Sequence, residues 1–153
     1  MNTPGDLLDL LRRLQRNGVR YVLIGGHAVR LHGFLRATED IDLLVPFDEV
    51  NGAKLIDSLG FLDSAREIDP AWFSRAANEP EIQNIRVADR MLIDILFAAN
   101  GETYDSLQEH IRILDLEGVS IPILDIEGLL KTKTAQREKD VIDRQMLLRL
   151  KDG

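Results

Sequence analysis

Between Thr38 and Pro46 the sequence reads EDIDLLV, and no other run constrains the fold as tightly. Ile41, Leu43, Leu44 and Val45 have the make-up of a strand entering a hydrophobic core, and Pro46 ends the run. Yet Asp40 and Asp42 stand at its mouth. Side chains alternate faces along a strand, so both carboxylates leave the same face, about 7 Å apart at a rise of about 3.3 Å per residue. Beside a core such a pair repels, and one member tends to take up a proton. A divalent cation with a preference for oxygen ligands removes that cost. An isolated Asp-x-Asp also occurs on solvated strand ends, so the pair alone decides nothing.

A third acid narrows the choice. Asp94 stands in MLIDILF, a single charge in the middle of an apolar strand. Burying it unpaired is expensive. Either a basic neighbour such as Arg90 pairs with it, or it joins Asp40 and Asp42 around metal. Three acids on neighbouring strands are what a two-metal phosphoryl-transfer site requires. Upstream, the apolar run 21–24 meets Gly25-Gly26 and then a helical pattern over 27–34. Such a junction offers backbone N–H groups to a phosphate chain, although a Gly-Gly pair is also a common tight turn.

The remaining pattern predicts alternating helices and strands. Leu7, Leu8, Leu10, Leu11 and Leu14 line one side of an N-terminal helix that stops at Asn17-Gly18. A helix follows over 47–59. Runs 82–87 and 91–97 form a hairpin through Ala88-Asp89-Arg90, residues 119–123 a further strand, and 126–136 and 139–150 two helices. The stretch 63–81 is polar and irregular, suited to a lid over a cleft or to an ordinary surface loop. The fold class expected is α+β (α/β-like): a mixed sheet flanked by helices. With 153 residues, one domain is expected.

A net charge of −7 argues against general nucleic-acid binding. Cysteine is absent, which excludes disulfides and thiolate metal sites and fits a reducing, cytoplasmic setting. No apolar run reaches the roughly 20 residues that span a bilayer, and MNTPGDLLDLLRRLQ has no signal-peptide pattern.

The block IGGHAVRLHGFLRATEDIDLLV, together with Asp94, resembles the signature of the DNA polymerase β-type nucleotidyltransferase superfamily. Arg36 and Thr38 give the R-x-T-x-D-I-D form of small prokaryotic members, including abortive-infection-type, toxin–antitoxin nucleotidyltransferases. The ending LLKTKTAQREKDVIDRQMLLRL is similar to theirs as well. The resemblance implies one nucleotidyltransferase domain over 1–153, with the sheet core and its flanking helices in 1–125 and C-terminal helices in 126–153. It implies Mg²⁺, with Mn²⁺ as a substitute, bound by Asp40, Asp42 and Asp94. Those three acids are then the catalytic residues, and Asp94 helps to deprotonate the acceptor hydroxyl. Gly25, Gly26, Arg36, Thr38 and Lys133 become the nucleotide-binding residues. Many relatives carry Ser where Gly26 stands, so no hydroxyl is offered there. The partners implied are an NTP, an unidentified acceptor (protein, tRNA or small molecule) and a cognate partner protein.

Other residues have plainer alternatives. Arg36 clamps a phosphate or complements a helix dipole. Lys133 and Arg137 share a helix face and reach a phosphate or an RNA acceptor, or else belong with Lys131 and Lys139 to a solvated face. Asp140 and Asp143 suit capping or ion pairs, and His27 suits packing or hydrogen bonding. His32 and His110 have no zinc spacing. Trp72 stacks on a base or is partly buried. The competing function is a nucleotide- or partner-binding regulatory module on the same fold.

Overall fold

A computed structural model describes residues 4–32, 40–133, 144–145 and 147–151. Its centre is a six-stranded mixed sheet in the order β3-β4-β2-β1-β6-β5. The strands are β1 (Val22–Ile24), β2 (Asp40–Leu44), β3 (Ile85–Ala88), β4 (Leu92–Leu96), β5 (Ile111–Leu116) and β6 (Val119–Leu124). The helices are α1 (Pro4–Arg16), α2 (Gly25–Leu31), α3 (Glu49–Ser58) and α4 (Ile126–Thr132). Residues 144–145 and 147–151 are also helical. Among the described residues, no helix is long and apolar enough to cross a membrane.

Period-two patterning builds the two faces of the sheet. Ile41 and Leu43 of β2, Ile93 and Ile95 of β4, and Ile85 and Val87 of β3 share one face and are buried. The opposite face carries Asp40, Asp42, Asp94 and Arg86. β2 runs antiparallel to β1 and parallel to β4, so the strand that bears Asp-x-Asp lies between the Gly-Gly strand and the Asp94 strand. The α1 leucines Leu7, Leu10, Leu11 and Leu14 are all buried, as the amphipathic pattern requires. The Asp48 side chain accepts from Asn51 N and starts α3.

The structure corrects three expectations. β5 has no counterpart in the sequence pattern: it is an outer strand with Ile113 63% exposed, so its apolar residues do not alternate cleanly with polar ones. It joins β6 through Glu117 and Gly118, both at positive φ, a turn that suits the twist of a two-residue hairpin. The β3–β4 turn falls one residue later than expected, and residues 82–84 are not strand. The stretch 63–81 is not a loose loop. It forms three short 3-10 helices (Asp63–Glu67, Pro70–Phe73, Ala76–Asn78) docked by a buried Phe73. That ring meets Phe97 edge-on at 5.5 Å and presses on α3 at Gly52, where a Cβ would overlap it.

Candidate active site

Strand register places the acids. Asp42 and Asp94 are direct partners across the parallel β2–β4 pair, and Asp40 lies two residues along β2 on the same face. β1 delivers the chain to Gly25 on the other side of Asp42, because Ile24 pairs with Asp42. Gly25 has φ +74°, and a Cβ there would sit 2.9 Å from Asp42 Cγ and overlap the carboxylate. Glycine is therefore required twice, by backbone conformation and by close approach. The strand-to-helix pattern points Gly25 at phosphates but gives no sign of this contact with the acid.

Crowding shows in the pKa of Asp42, which is raised from 3.8 to about 6. Burial is the largest cause, followed by the negative charges of Asp94 and Asp40, and the protonated carboxyl also hydrogen-bonds Asp94. The charge of Lys133 works in the opposite direction. Lys133 is only 7% exposed and lies beyond the last turn of α4 in extended conformation, so it does not belong to a helix face, solvated or otherwise. Asn100, at φ +50°, holds that segment by donating to the carbonyls of Lys131 (3.0 Å) and Lys133 (3.2 Å).

The counter-ion of Asp94 is Arg86, not Arg90. Directly opposite Asp94 on β3, Arg86 donates through Nη1 to both carboxylate oxygens at 2.9 and 3.0 Å. Its Nη2 reaches Asp40 Oδ1 at 3.5 Å. Arg90 instead turns to the Phe61 ring and carbonyl. Arg86 and Asn100 are the two site residues that sequence reasoning missed. A hairpin turn centred on residue 90 puts Arg86 opposite Asp94, so that signal was within reach; nothing local to Asn100 announces its role.

Two histidines make contacts away from the acids. His110 Nδ1 lies 3.0 Å from Asp125 Oδ1, and His32 Nε2 lies 2.8 Å from the Leu124 carbonyl oxygen. His27 is buried and Lys131 is exposed. Gly26 is buried beside Gly25 at the start of α2. Arg36, Thr38, Arg137, Lys139, Asp140 and Asp143 lie outside the described residues.

Among the described residues, no three acidic or histidine side chains close around a single point while Arg86 spans Asp94 and Asp40. The donor set nonetheless fits Mg²⁺. It consists of carboxylates alone, and that ion keeps waters and substrate oxygens rather than demanding a complete protein cage. The raised pKa of Asp42 and the guanidinium on Asp94 both express the same surplus of negative charge.

The sheet and its helices have the nucleotidyltransferase fold. A lincosamide antibiotic adenylyltransferase with lincomycin bound superposes with a TM-score of 0.64 at 20% identity, over 95% of this chain and 96% of that one. A Thermotoga maritima protein described as a nucleotidyltransferase gives 0.56 at 18% identity, over 99% and 88%. An antigenic nucleotidyltransferase-like protein of Paracoccidioides brasiliensis gives 0.52 at 16% identity, over 92% and 72%. Neither a protein-family model nor a curated protein matches the sequence.

Proposed function

We propose that this chain is a metal-dependent nucleotidyltransferase that moves a nucleoside monophosphate from an NTP to an acceptor hydroxyl. The observation that carries the reading is the register of Asp42 on Asp94, with Asp40 on the same face and the Gly25 backbone against Asp42. Asp40, Asp42 and Asp94 would hold Mg²⁺, or Mn²⁺ in its place, which would supply charge stabilisation at the phosphates. Gly25 and Gly26 present backbone to the triphosphate, and Lys133 offers its ammonium to the same chain of phosphates. Arg36 and Thr38 are assigned to the nucleotide by resemblance alone.

The acceptor hydroxyl gives its proton to Asp94 while its oxygen bonds the α-phosphorus. The bond from that phosphorus to the bridging oxygen breaks, and pyrophosphate leaves. Arg86 must first give up Asp94, because a guanidinium stays charged at any working pH and holds both carboxylate oxygens. Likeness to an adenylyltransferase makes ATP the first donor to try. A place in a toxin–antitoxin or defence pair rests only on the R-x-T-x-D-I-D resemblance.

The test is melting temperature against each NTP with Mg²⁺, beside Asp42→Asn. A Mg²⁺-dependent rise that the variant loses is expected, with transfer of label from an α-labelled NTP as the second readout. No rise with any triphosphate would put the partner-binding module first, and full activity of Asp42→Ala would refute the catalytic assignment.

A further inference from the structure

A cavity of about 400 Å³ lies at the outer edge strand β3, lined by Trp72, Ala77, Gln83, Asn84, Ile85 and Arg86, and Arg86 links it to Asp94 and Asp40. We propose that it is the acceptor pocket, and that it takes a small, hydroxyl-bearing molecule with one flat apolar face. This rests on the nucleotidyltransferase reading and names its substrate class.

The walls are preformed. Asn78 is buried, and its amide donates to the carbonyls of Trp72 (3.1 Å) and Ser74 (2.8 Å), while its oxygen accepts from Gln83 N (2.8 Å). One side chain thus ties the Trp72 wall to the Gln83 wall. Phe73 anchors the same segment to α3 and Phe97. Trp72, 46% exposed, keeps an indole surface open that the core does not use.

The lining sets the chemistry. Trp72, Ala77 and Ile85 offer apolar contact, and Gln83 adds an amide that both donates and accepts. Arg86 brings a charge to the lining, and its guanidinium pairs with Asp94 and Asp40 until the acids are needed for the reaction. The volume suits a small molecule and is too small to enclose a folded macromolecule. Position agrees: the pocket adjoins β3, on the Asp94 side of Asp42, whereas Gly25 lies on the β1 side. Donor and acceptor would then approach from opposite sides of Asp42.

Trp72 is the sole tryptophan of the sequence, so its emission reports this pocket directly. The probe is phenyl β-D-glucopyranoside, titrated into the full chain with EDTA present so that no transfer occurs. A saturable blue shift in the millimolar range is expected, weakened about tenfold or more in Ala77→Leu, which fills an exposed lining position. Asp42→Asn should leave that affinity unchanged. Absence of a saturable shift would overturn the assignment, as would an unchanged affinity in Ala77→Leu. Competition between the probe and ATP with Mg²⁺ would make the cavity the nucleotide's own and overturn it too. A probe that binds while no NTP raises the melting temperature would instead refute the transferase reading, so the two failures are distinct.

Discussion

Replacing Asp42 by Asn should stabilise the metal-free protein at neutral pH. The folded state holds Asp42 at a pKa of about 6 against 3.8 for an ordinary aspartate, with burial as the main cause. At about 1.36 kcal/mol per pH unit of displacement the full cost is roughly 3 kcal/mol, and about 2 kcal/mol once partial access to solvent is allowed for. The sign follows from proton counting. Between pH 3.8 and about 6 the folded chain binds a proton that the unfolded chain has released. Stability from this group is therefore greatest below 3.8, falls as pH rises, and is fully lost above about 6. An amide mimics the protonated carboxyl and does not titrate. Urea denaturation with EDTA at several pH values between about 4 and about 7.5 should find the variant more stable by about 2 kcal/mol at the upper end, the gap closing towards the acid end. Taking the difference between the two proteins cancels the carboxylates that titrate in the opposite sense, such as Asp48 and Asp89. Parallel curves, or a wild type more stable at the upper end, would refute the account of crowding.

Arg86→Ala should tighten Mn²⁺ binding by about tenfold, because the ion no longer competes with a charge-assisted pair. Arg86→Lys keeps the charge but loses the fork, and intermediate tightening in electron paramagnetic resonance titrations would separate contact from charge alone. Gly25→Ala should cost about 2 kcal/mol or more in urea and abolish the Mg²⁺-dependent rise in melting temperature, since the added carbon overlaps Asp42. Lys133→Met removes the charge that lowers the pKa of Asp42, so the pH at which apo stability is lost should move upward in the same urea series. Asn100→Ala should move it the same way by a smaller step, by loosening the segment that positions Lys133.

The acids were legible because each breaks an apolar strand, and a lone charge in such a run needs a reason. Asp40 and Asp42 share a face by strand geometry alone, and the structure adds Asp94 by register. Arg86 was missed for want of one residue in the hairpin turn: a turn centred on residue 89 places it opposite Leu92, whereas the observed pairing sets it on Asp94. Lys133 looks like a helix-face residue because the helical pattern runs on past Thr132, where α4 ends and the chain turns inward. Phe73 hid the order of 63–81, since one aromatic among polar residues gives no periodicity; its partner is a glycine on α3. β5 lacks a buried face, and only its Glu117-Gly118 turn could have exposed it.

The sheet order also dictates when the site can exist. β2 finds its parallel partner β4 only after α3, the docked 3-10 helices and β3 have been made, and β1 waits longer still for β6. Lys133 arrives last. Pairings this distant in sequence are slow to close. A growing chain that has released Asp40 and Asp42 therefore carries two solvated carboxylates and no crowded cluster. The share of the strain at Asp42 that comes from Asp94 is acquired only as β4 docks, so the three-acid cluster is complete only late in the order of the chain.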